Sequence, residues 1–235
     1  MSRPKERASV TSRVPADGKP KDAVSGLAVV VMAAGLGKRM QSKHAKVLHS
    51  VAGRAMVLYS VGLALRVADY PIAVVVGHQA DRVRQVVKDA TSASHGHAPV
   101  SIVEQQEQLG TGHAVLQSRP VFAGSGRSVP TRYLILNGDT PLLRESTVRE
   151  LLRIHLEEKA TVTILTAILD DAVGYGRVVR QTSPANHVLK IVEDCDADAR
   201  EKSIREINVG TYVVEGEFLF STLEKLRPSN AQGEY

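Results

Sequence analysis

A chain of 235 residues with 43% hydrophobic content can bury a sizeable core, as one large α/β domain or two small ones. It has no run of about 18 apolar residues, so no membrane-spanning helix is expected, and its polar, basic start lacks the apolar stretch of a secretory signal. The net charge of +5 and pI near 9.4 would suit nucleic acid, but 4% aromatic residues and no Trp leave little for base stacking, so no nucleic-acid partner is expected.

The lone Cys195 cannot make an internal disulfide and has no metal-ligand spacing around it, which agrees with a reducing, cytoplasmic setting. Much of the positive excess sits in residues 1–26, where Arg3, Lys5, Arg7, Arg13, Lys19 and Lys21 face only Glu6, Asp17 and Asp22. That stretch also carries Pro4, Pro15 and Pro20 and no apolar period, so it reads as a disordered basic tail ahead of a domain over 27–235.

Order is expected from Leu27. The run Ala28-Val29-Val30-Val31-Met32, apolar without alternation, predicts a strand covered on both faces. Arg54 to Ala68 carries apolar residues at helical spacing, and Ile72 to Val76 is a second buried strand stopped by Gly77. Asp81 to Asp89 predicts a helix, Val100 to Val103 a strand, Gly112 to Gln117 a helix and Tyr133 to Leu136 another buried strand. Ser146 suits the N-cap of a helix burying Val148, Leu151, Leu152 and Leu156. This alternation predicts an α/β fold with a mostly parallel sheet, flanked by helices. After Thr161 the pattern changes: Thr161–Leu169, Arg177–Arg180, His187–Val192 and Ile207–Val214 are strand-like, which predicts a mixed sheet or a β-rich subdomain.

The segment Met32-Ala33-Ala34-Gly35-Leu36-Gly37-Lys38-Arg39-Met40 follows the first strand, on the edge where open α/β sheets bind ligands. Small residues at 33 to 35 and 37 let backbone N–H groups approach a phosphate or a base, and Lys38, Arg39 and Lys46 add positive charge. It is not a Walker loop, because Arg39 stands where Ser or Thr should follow Lys38. Nor is it a dinucleotide fingerprint, because Met40 takes the place of the third small residue.

This turn resembles that of the sugar-1-phosphate nucleotidyltransferases, with Ala-Ala-Gly-x-Gly-x-Arg-Met and then a Lys. Lys46-Val47-Leu48-His49 and Ala52-Gly53-Arg54-Ala55-Met56 are similar to the bacterial N-acetylglucosamine-1-phosphate uridylyltransferases in particular. Ala45 departs from that family, which has Pro before the Lys; a looser loop is expected there.

The resemblance implies a Rossmann-like nucleotide-diphospho-sugar transferase fold whose β-rich part holds the sugar. It also implies transfer of a uridylyl group from UTP to N-acetylglucosamine 1-phosphate, giving UDP-N-acetylglucosamine for peptidoglycan and lipopolysaccharide synthesis. By it, Arg39 and Lys46 face the triphosphate, and Met32, Ala33, Ala34 and Gly35 lie against the nucleotide. Gln105, Gly110 and Thr111, within Gln105 to Ala114, read the uracil; a Gln amide can both donate and accept. Asp139, in Leu136-Asn137-Gly138-Asp139-Thr140-Pro141-Leu142, holds Mg²⁺, which needs only one or two carboxylates besides substrate phosphates. Asn137, Gly138, Gly176, Glu193 and Asn208 bind substrate, with Gly176, Glu193 and Asn208 holding the acetamido sugar.

Taken singly these residues read more plainly: Gln105 as a surface loop amide, Asp139 as a turn residue before Pro141, Glu193 as a solvated strand-end charge. His95 and His97 read as loop residues, and His155 as a satisfied, partly buried histidine. The family pattern continues past Gly233-Glu234-Tyr235 into segments that carry a second metal ligand and, in bifunctional members, an acetyltransferase β-helix that forms trimers. Those properties are not expected of the residues given. Two alternatives stand beside this reading: a nucleotidyltransferase for another base or sugar phosphate, and a chain that binds nucleotide sugar without turnover.

Overall fold

The first strand starts where the Asp69 carboxylate accepts the Gly26 and Leu27 N–H groups at 2.9 and 2.7 Å. The computed structural model describes residues 25–35, 37, 40, 42, 44–92, 98–123, 129–181 and 187–226, so nearly all of the expected tail lies outside the described residues. In chain order the elements begin with β1 (Leu27–Ala33), a one-turn 3₁₀ segment at Lys46–Leu48, β2 (Ser50–Val51), β3 (Arg54–Ala55) and α1 (Met56–Val67). Next come β4 (Ile72–Val76), α2 (Ala80–Thr91), β5 (Val100–Glu104), α3 (Thr111–Gln117), α4 (Arg119–Ala123), β6 (Arg132–Asn137) and α5 (Glu145–Glu157). The last are β7 (Val162–Ile168), β8 (Arg177–Arg180), β9 (Val188–Val192), α6 (Ala199–Lys202), β10 (Glu206–Glu215) and α7 (Gly216–Leu223).

One mixed sheet of eight strands runs β5-β4-β1-β6-β10-β8-β9, with β7 on the other edge of β10. The strands β5, β4, β1 and β6 are parallel, and every β1–β4 and β1–β6 partner pair is in unbroken register. Their apolar runs have no alternation because both faces are covered. Leu27, Val29 and Val31 pack on one side with Val57, Val61 and Val83, while Ala28 and Val30 face the opposite cluster with Phe122, Tyr133 and Phe220. In that second cluster Tyr133 sits edge-on to Phe122 and Phe220, with ring centroids 5.0 and 5.2 Å away.

The other strands are antiparallel to their neighbours. Strand β7 follows β10 along both halves, so β6 and β8 must share the opposite edge: β6 pairs at Tyr212 to Glu215 and β8 at Ile207. Between those two pairings the register shifts and Gly210 adopts φ +78°. The ladder therefore splits next to the carboxyl end of β6, and the gap becomes one side of a cleft.

The structure corrects several local expectations. Arg54 and Ala55 do not begin the helix; they pair with Ser50 and Val51 across a tight turn whose Ala52 and Gly53 have φ of 47° and 80°, the combination a two-residue hairpin demands. Helix α5 starts at Glu145 behind Arg144, so Ser146 lies inside it and caps nothing. Leu156 is exposed, and His155 takes the inward position, bonded to Thr163 Oγ1 at 2.8 Å and Glu215 Oε1 at 3.0 Å. Ala45 is fixed, not loosened: its N–H, which a proline would lack, donates to Gln79 Oε1 at 3.2 Å, and the residue is buried.

Candidate functional site

At the carboxyl ends of the parallel strands the connections diverge. From β1 the order steps to β4 and β5 on one side and returns to β6 on the other. Ligand crevices of open α/β sheets form at such a reversal. Here the turn after β1 and the turn after β6 face each other. Gly138 allows this closeness: its N–H bonds to Met32 O at 2.8 Å, and a Cβ on it would meet that same oxygen at 2.9 Å. Gly138 is thus buried packing, with Asn137 and Asp139 on either side of it.

The two turns also meet through an ion pair, Lys46 Nζ to Asp139 Oδ2 at 2.6 Å. Lys46 belongs to the 3₁₀ turn, which is anchored by buried Ala45 and Val47. Gly37, with φ +61°, passes so close that a Cβ there would come within 2.8 Å of the Lys46 Cβ. The Lys46 and Asp139 side chains are 41% and 28% exposed, and pairs this open contribute only about 0–1 kcal/mol. Lys46 can therefore leave Asp139 for another anion at little cost.

Both residues line an open cleft of about 1060 Å³. Met32, Thr111, Asn137 and Thr140 share its parallel-sheet side; Gly176, Glu193, Asn208 and Tyr212 share the antiparallel side. Asn137 joins the two: its carbonyl accepts from Ser60 Oγ at 2.7 Å, and its amide donates to Val209 O at 3.0 Å across the split ladder. Asn208 donates to the Tyr212 hydroxyl at 2.6 Å and accepts from Gly210 N–H at 3.0 Å, while its own N–H donates to Gly176 O at 2.9 Å. Burial pushes the Tyr212 hydroxyl above the usual tyrosine range; the Asn208 bond works against that rise and the Glu193 charge adds to it. The hydroxyl therefore keeps its proton and acts as a neutral post for Asn208. Behind this wall the buried Arg177 donates to Tyr175 O and pairs with Asp194 Oδ1 at 3.0 Å, fixing the turn that presents Gly176.

Of the residues singled out in the sequence, the cleft gathers Lys46, Asp139, Met32, Thr111, Asn137, Gly176, Glu193 and Asn208. Ala33 and Ala34 are buried behind it, and Gly35 is exposed with open space where a Cβ would stand. The Ala34 carbonyl accepts from the Gln108 amide at 3.0 Å, which braces the start of the turn. Gln105 is buried, and Gly110, with φ +98°, sits at the N-cap of α3 just before Thr111. Arg39, Lys38, His95 and His97 lie outside the described residues. Tyr212 and Asp196 also line the cleft and were not singled out. Tyr212 is hidden in an apolar strand pattern, and Asp196 is one of several acids in a polar loop with no spacing to mark it.

Among the described residues no group of three or more His, Cys, Asp or Glu could hold a metal ion by itself. Asp139 already faces one cation, the Lys46 ammonium at its Oδ2. A carboxylate in such a place suits a divalent ion that completes its shell with substrate phosphates and water, as Mg²⁺ does. No helix among the described residues is long and apolar enough to cross a membrane.

Comparison with known proteins bears on this geometry. Residues 29–206 match the family described as the MobA-like NTP transferase domain. The bifunctional protein GlmU of Thermoanaerobacter pseudethanolicus is 42% identical over 212 residues, which are 90% of this chain and 43% of that protein. The bifunctional protein GlmU of Exiguobacterium sibiricum is 46% identical over 206 residues, 88% of this chain and 42% of that one. The chain thus spans less than half the length of these relatives. A crystal structure of UDP-glucose pyrophosphorylase complexed with UDP-glucose superposes with a TM-score of 0.68 over 88% of this chain and 82% of that one; at 15% identity the likeness is one of fold.

Proposed function

The chain belongs to the family of MobA-like NTP transferase domains, and from that membership we propose that it joins UTP and N-acetyl-α-D-glucosamine 1-phosphate into UDP-N-acetylglucosamine, releasing pyrophosphate. The observation that carries the reading is the Lys46–Asp139 pair at the sheet's reversal point, facing Glu193 and Asn208 across one cleft. The long identity to the two GlmU proteins supports this choice of nucleotide and sugar.

In this reaction an anionic oxygen of the sugar phosphate attacks the α-phosphorus of UTP. The bond from that phosphorus to the bridging oxygen breaks, and pyrophosphate leaves with the electron pair. The nucleophile is already ionised, so no general base is needed; the protein's work is alignment and charge neutralisation. Asp139 would hold Mg²⁺ together with the substrate phosphates, and the ion would neutralise phosphate charge there. Lys46, released from Asp139, donates to the triphosphate and to the charge that builds up on it. Arg39 is assigned to the same phosphates on the family pattern. Met32, Ala33, Ala34 and Gly35 offer backbone to the nucleotide, and Gln105, Gly110 and Thr111 meet the base. On the opposite wall Glu193 accepts from sugar hydroxyls beside Gly176 and Asn208, while Asn137 and Gly138 support the substrate from the parallel-sheet side.

A coupled pyrophosphate-release assay tests the reading. UTP with N-acetylglucosamine 1-phosphate should turn over, and Lys46→Ala should lower the rate a hundred- to thousandfold, about 2.7–4 kcal/mol, as for other lost donors to a developing anion. Near-normal turnover by that variant removes Lys46 from the mechanism. Release only with CTP or GTP, or with another sugar phosphate, reassigns the substrates; binding without release from any pair leaves a nucleotide-sugar binder.

A further inference from the structure

Gln105 follows β5 and is 4% exposed, an unusual degree of burial for a residue expected to meet a ligand. Its backbone N–H bonds to Val76 O at 2.8 Å, which ties this loop to the end of β4. Its side-chain amide nitrogen lies 3.1 Å from Gly110 O and 3.0 Å from His113 Nδ1. A backbone carbonyl can only accept, so the atom facing Gly110 has to be the amide NH₂ and not its oxygen. One amide hydrogen goes to Gly110, and the second faces His113.

That second bond decides the state of the imidazole. His113 Nδ1 has to present a lone pair, so the ring is neutral with its proton on Nε2. His113 Nε2 in turn lies 3.0 Å from the Gln117 side-chain amide, which must turn its oxygen to the ring. The whole chain of orientations follows from the single carbonyl of Gly110. Both Gln105 amide hydrogens are thereby used inside the protein, and its Oε1 has no hydrogen bond among the described residues.

We propose that His113 is a positioning residue that locks Gln105 as a hydrogen-bond acceptor, so that the site selects a base presenting a ring N–H and rejects one presenting a bare ring nitrogen. The inference rests on Gln105 being the base contact. Uracil carries a hydrogen on N3, where cytosine carries a lone pair. A freely turning glutamine would serve either base, offering its oxygen to one and its nitrogen to the other. With the nitrogen held by Gly110 and His113, only the oxygen remains, and cytosine meets it acceptor to acceptor. Turning the amide over to suit cytosine would set its oxygen against both the Gly110 carbonyl and the His113 lone pair. A buried site with one fixed polarity discriminates in this way because the wrong ligand leaves a polar atom unpaired.

The test uses three measurements on the intact protein. ¹⁵N-histidine NMR should place the His113 proton on Nε2, with an unprotonated Nδ1; a proton on Nδ1 would overturn the lock. His113→Leu keeps bulk and removes the acceptor, and should narrow the preference for UTP over CTP by roughly ten- to hundredfold, chiefly through a higher KM for UTP. His113→Asn, which can set a carbonyl oxygen near the Nδ1 position, should keep most of the preference. An unchanged preference in His113→Leu would sink the proposal, and so would equal loss in both variants. If His113→Leu does not fold, the tautomer and His113→Asn still decide. Should the native chain release no pyrophosphate at all, the transferase reading fails, while equilibrium binding of UTP against CTP by the same variants still reads the lock.

Discussion

The two halves of the sheet are built on different terms. In the parallel half, β1 and β4 are almost wholly buried, and what that half presents at the cleft is largely backbone turns at strand ends, with Lys46 and Asp139 set upon them. In the antiparallel half, β7 and β9 are half-buried or exposed, and the cleft wall relies on side chains that hold one another: Asn208 on Tyr212, Arg177 on Asp194 and Tyr175. The contrast fits the two ligand types of the proposed reaction. A triphosphate is met by N–H groups and fixed charge, which need a rigid frame. A sugar is met by many directional acceptors, which can be arranged on a lighter one.

The sharpest break in that comparison is a matched pair of truncations. Leu134 lies fully buried in β6 between Val29 and Val213, so Leu134→Ala should cost about 2–5 kcal/mol in urea unfolding. Leu189, in β9, is 58% exposed, and Leu189→Ala should fall within about 0.5 kcal/mol of native. Similar costs would mean that β9 is covered by something else. Alkali sharpens the same contrast. Burial among Phe122 and Phe220 pushes Tyr133 up to about 12, so its neutral form is favoured in the folded chain. That contribution is whole below the unfolded value near pH 10 and is lost as pH rises toward 12, on the order of 2–3 kcal/mol. Tyr133→Phe should flatten that part of the stability–pH curve, and an unchanged slope would show that the ring opens to solvent before it ionises.

Legibility in the sequence follows the same division. Strands β1, β4 and β6 were plain as unbroken apolar runs, because two covered faces leave no room for polar alternation. The β2–β3 hairpin resembles the start of a helix in sequence, since its apolar spacing continues into α1 and the contrary signal is the Ala52-Gly53 turn. Helix α7 carries no start signal in the sequence, because it begins at Gly216 directly from β10 with no side-chain cap. Of the site, Asp139, Lys46, Glu193 and Asn208 were named from motif words, and one cleft gathers them. Their pairing could not be read, because Lys46 meets Asp139 only through the parallel register of β1 and β6. The Gln105–His113–Gln117 relay was invisible for a different reason: which way an amide faces depends on the Gly110 carbonyl, and letters do not record orientation.

The next test asks whether the halves divide the substrates. Glu193→Ala removes an exposed carboxylate from the antiparallel wall and should raise the KM for the sugar phosphate roughly ten- to hundredfold, about 1.5–3 kcal/mol for a hydrogen-bonding charge. Binding of UTP alone, followed by calorimetry, should stay at the native level. A parallel loss of UTP affinity would mean that Glu193 serves the nucleotide, and the division would fail.

The smallest expected effect lies at the seam between the halves. Gly210 has φ +78°, and a Cβ on it would come within 2.5 Å of Asn137 Nδ2. Gly210→Ala therefore meets two costs: a left-handed backbone, about 1–2 kcal/mol for a residue with a Cβ, and displacement of the amide that bridges to Val209 O. Asn137 cannot give way freely, because its backbone carbonyl is held by Ser60 and Thr140. The side chain must then turn away from Val209, and the β10 edge of the cleft loses its tie to β6. The stability loss should stay near that backbone cost, because the β7 pairing on the far edge of β10 is untouched. Turnover should fall by more than stability does, since the two walls of the cleft would no longer be held at one spacing. If activity and stability fell in proportion instead, the Asn137 bridge would be packing only, and the register between the two halves would have to be set elsewhere in the sheet.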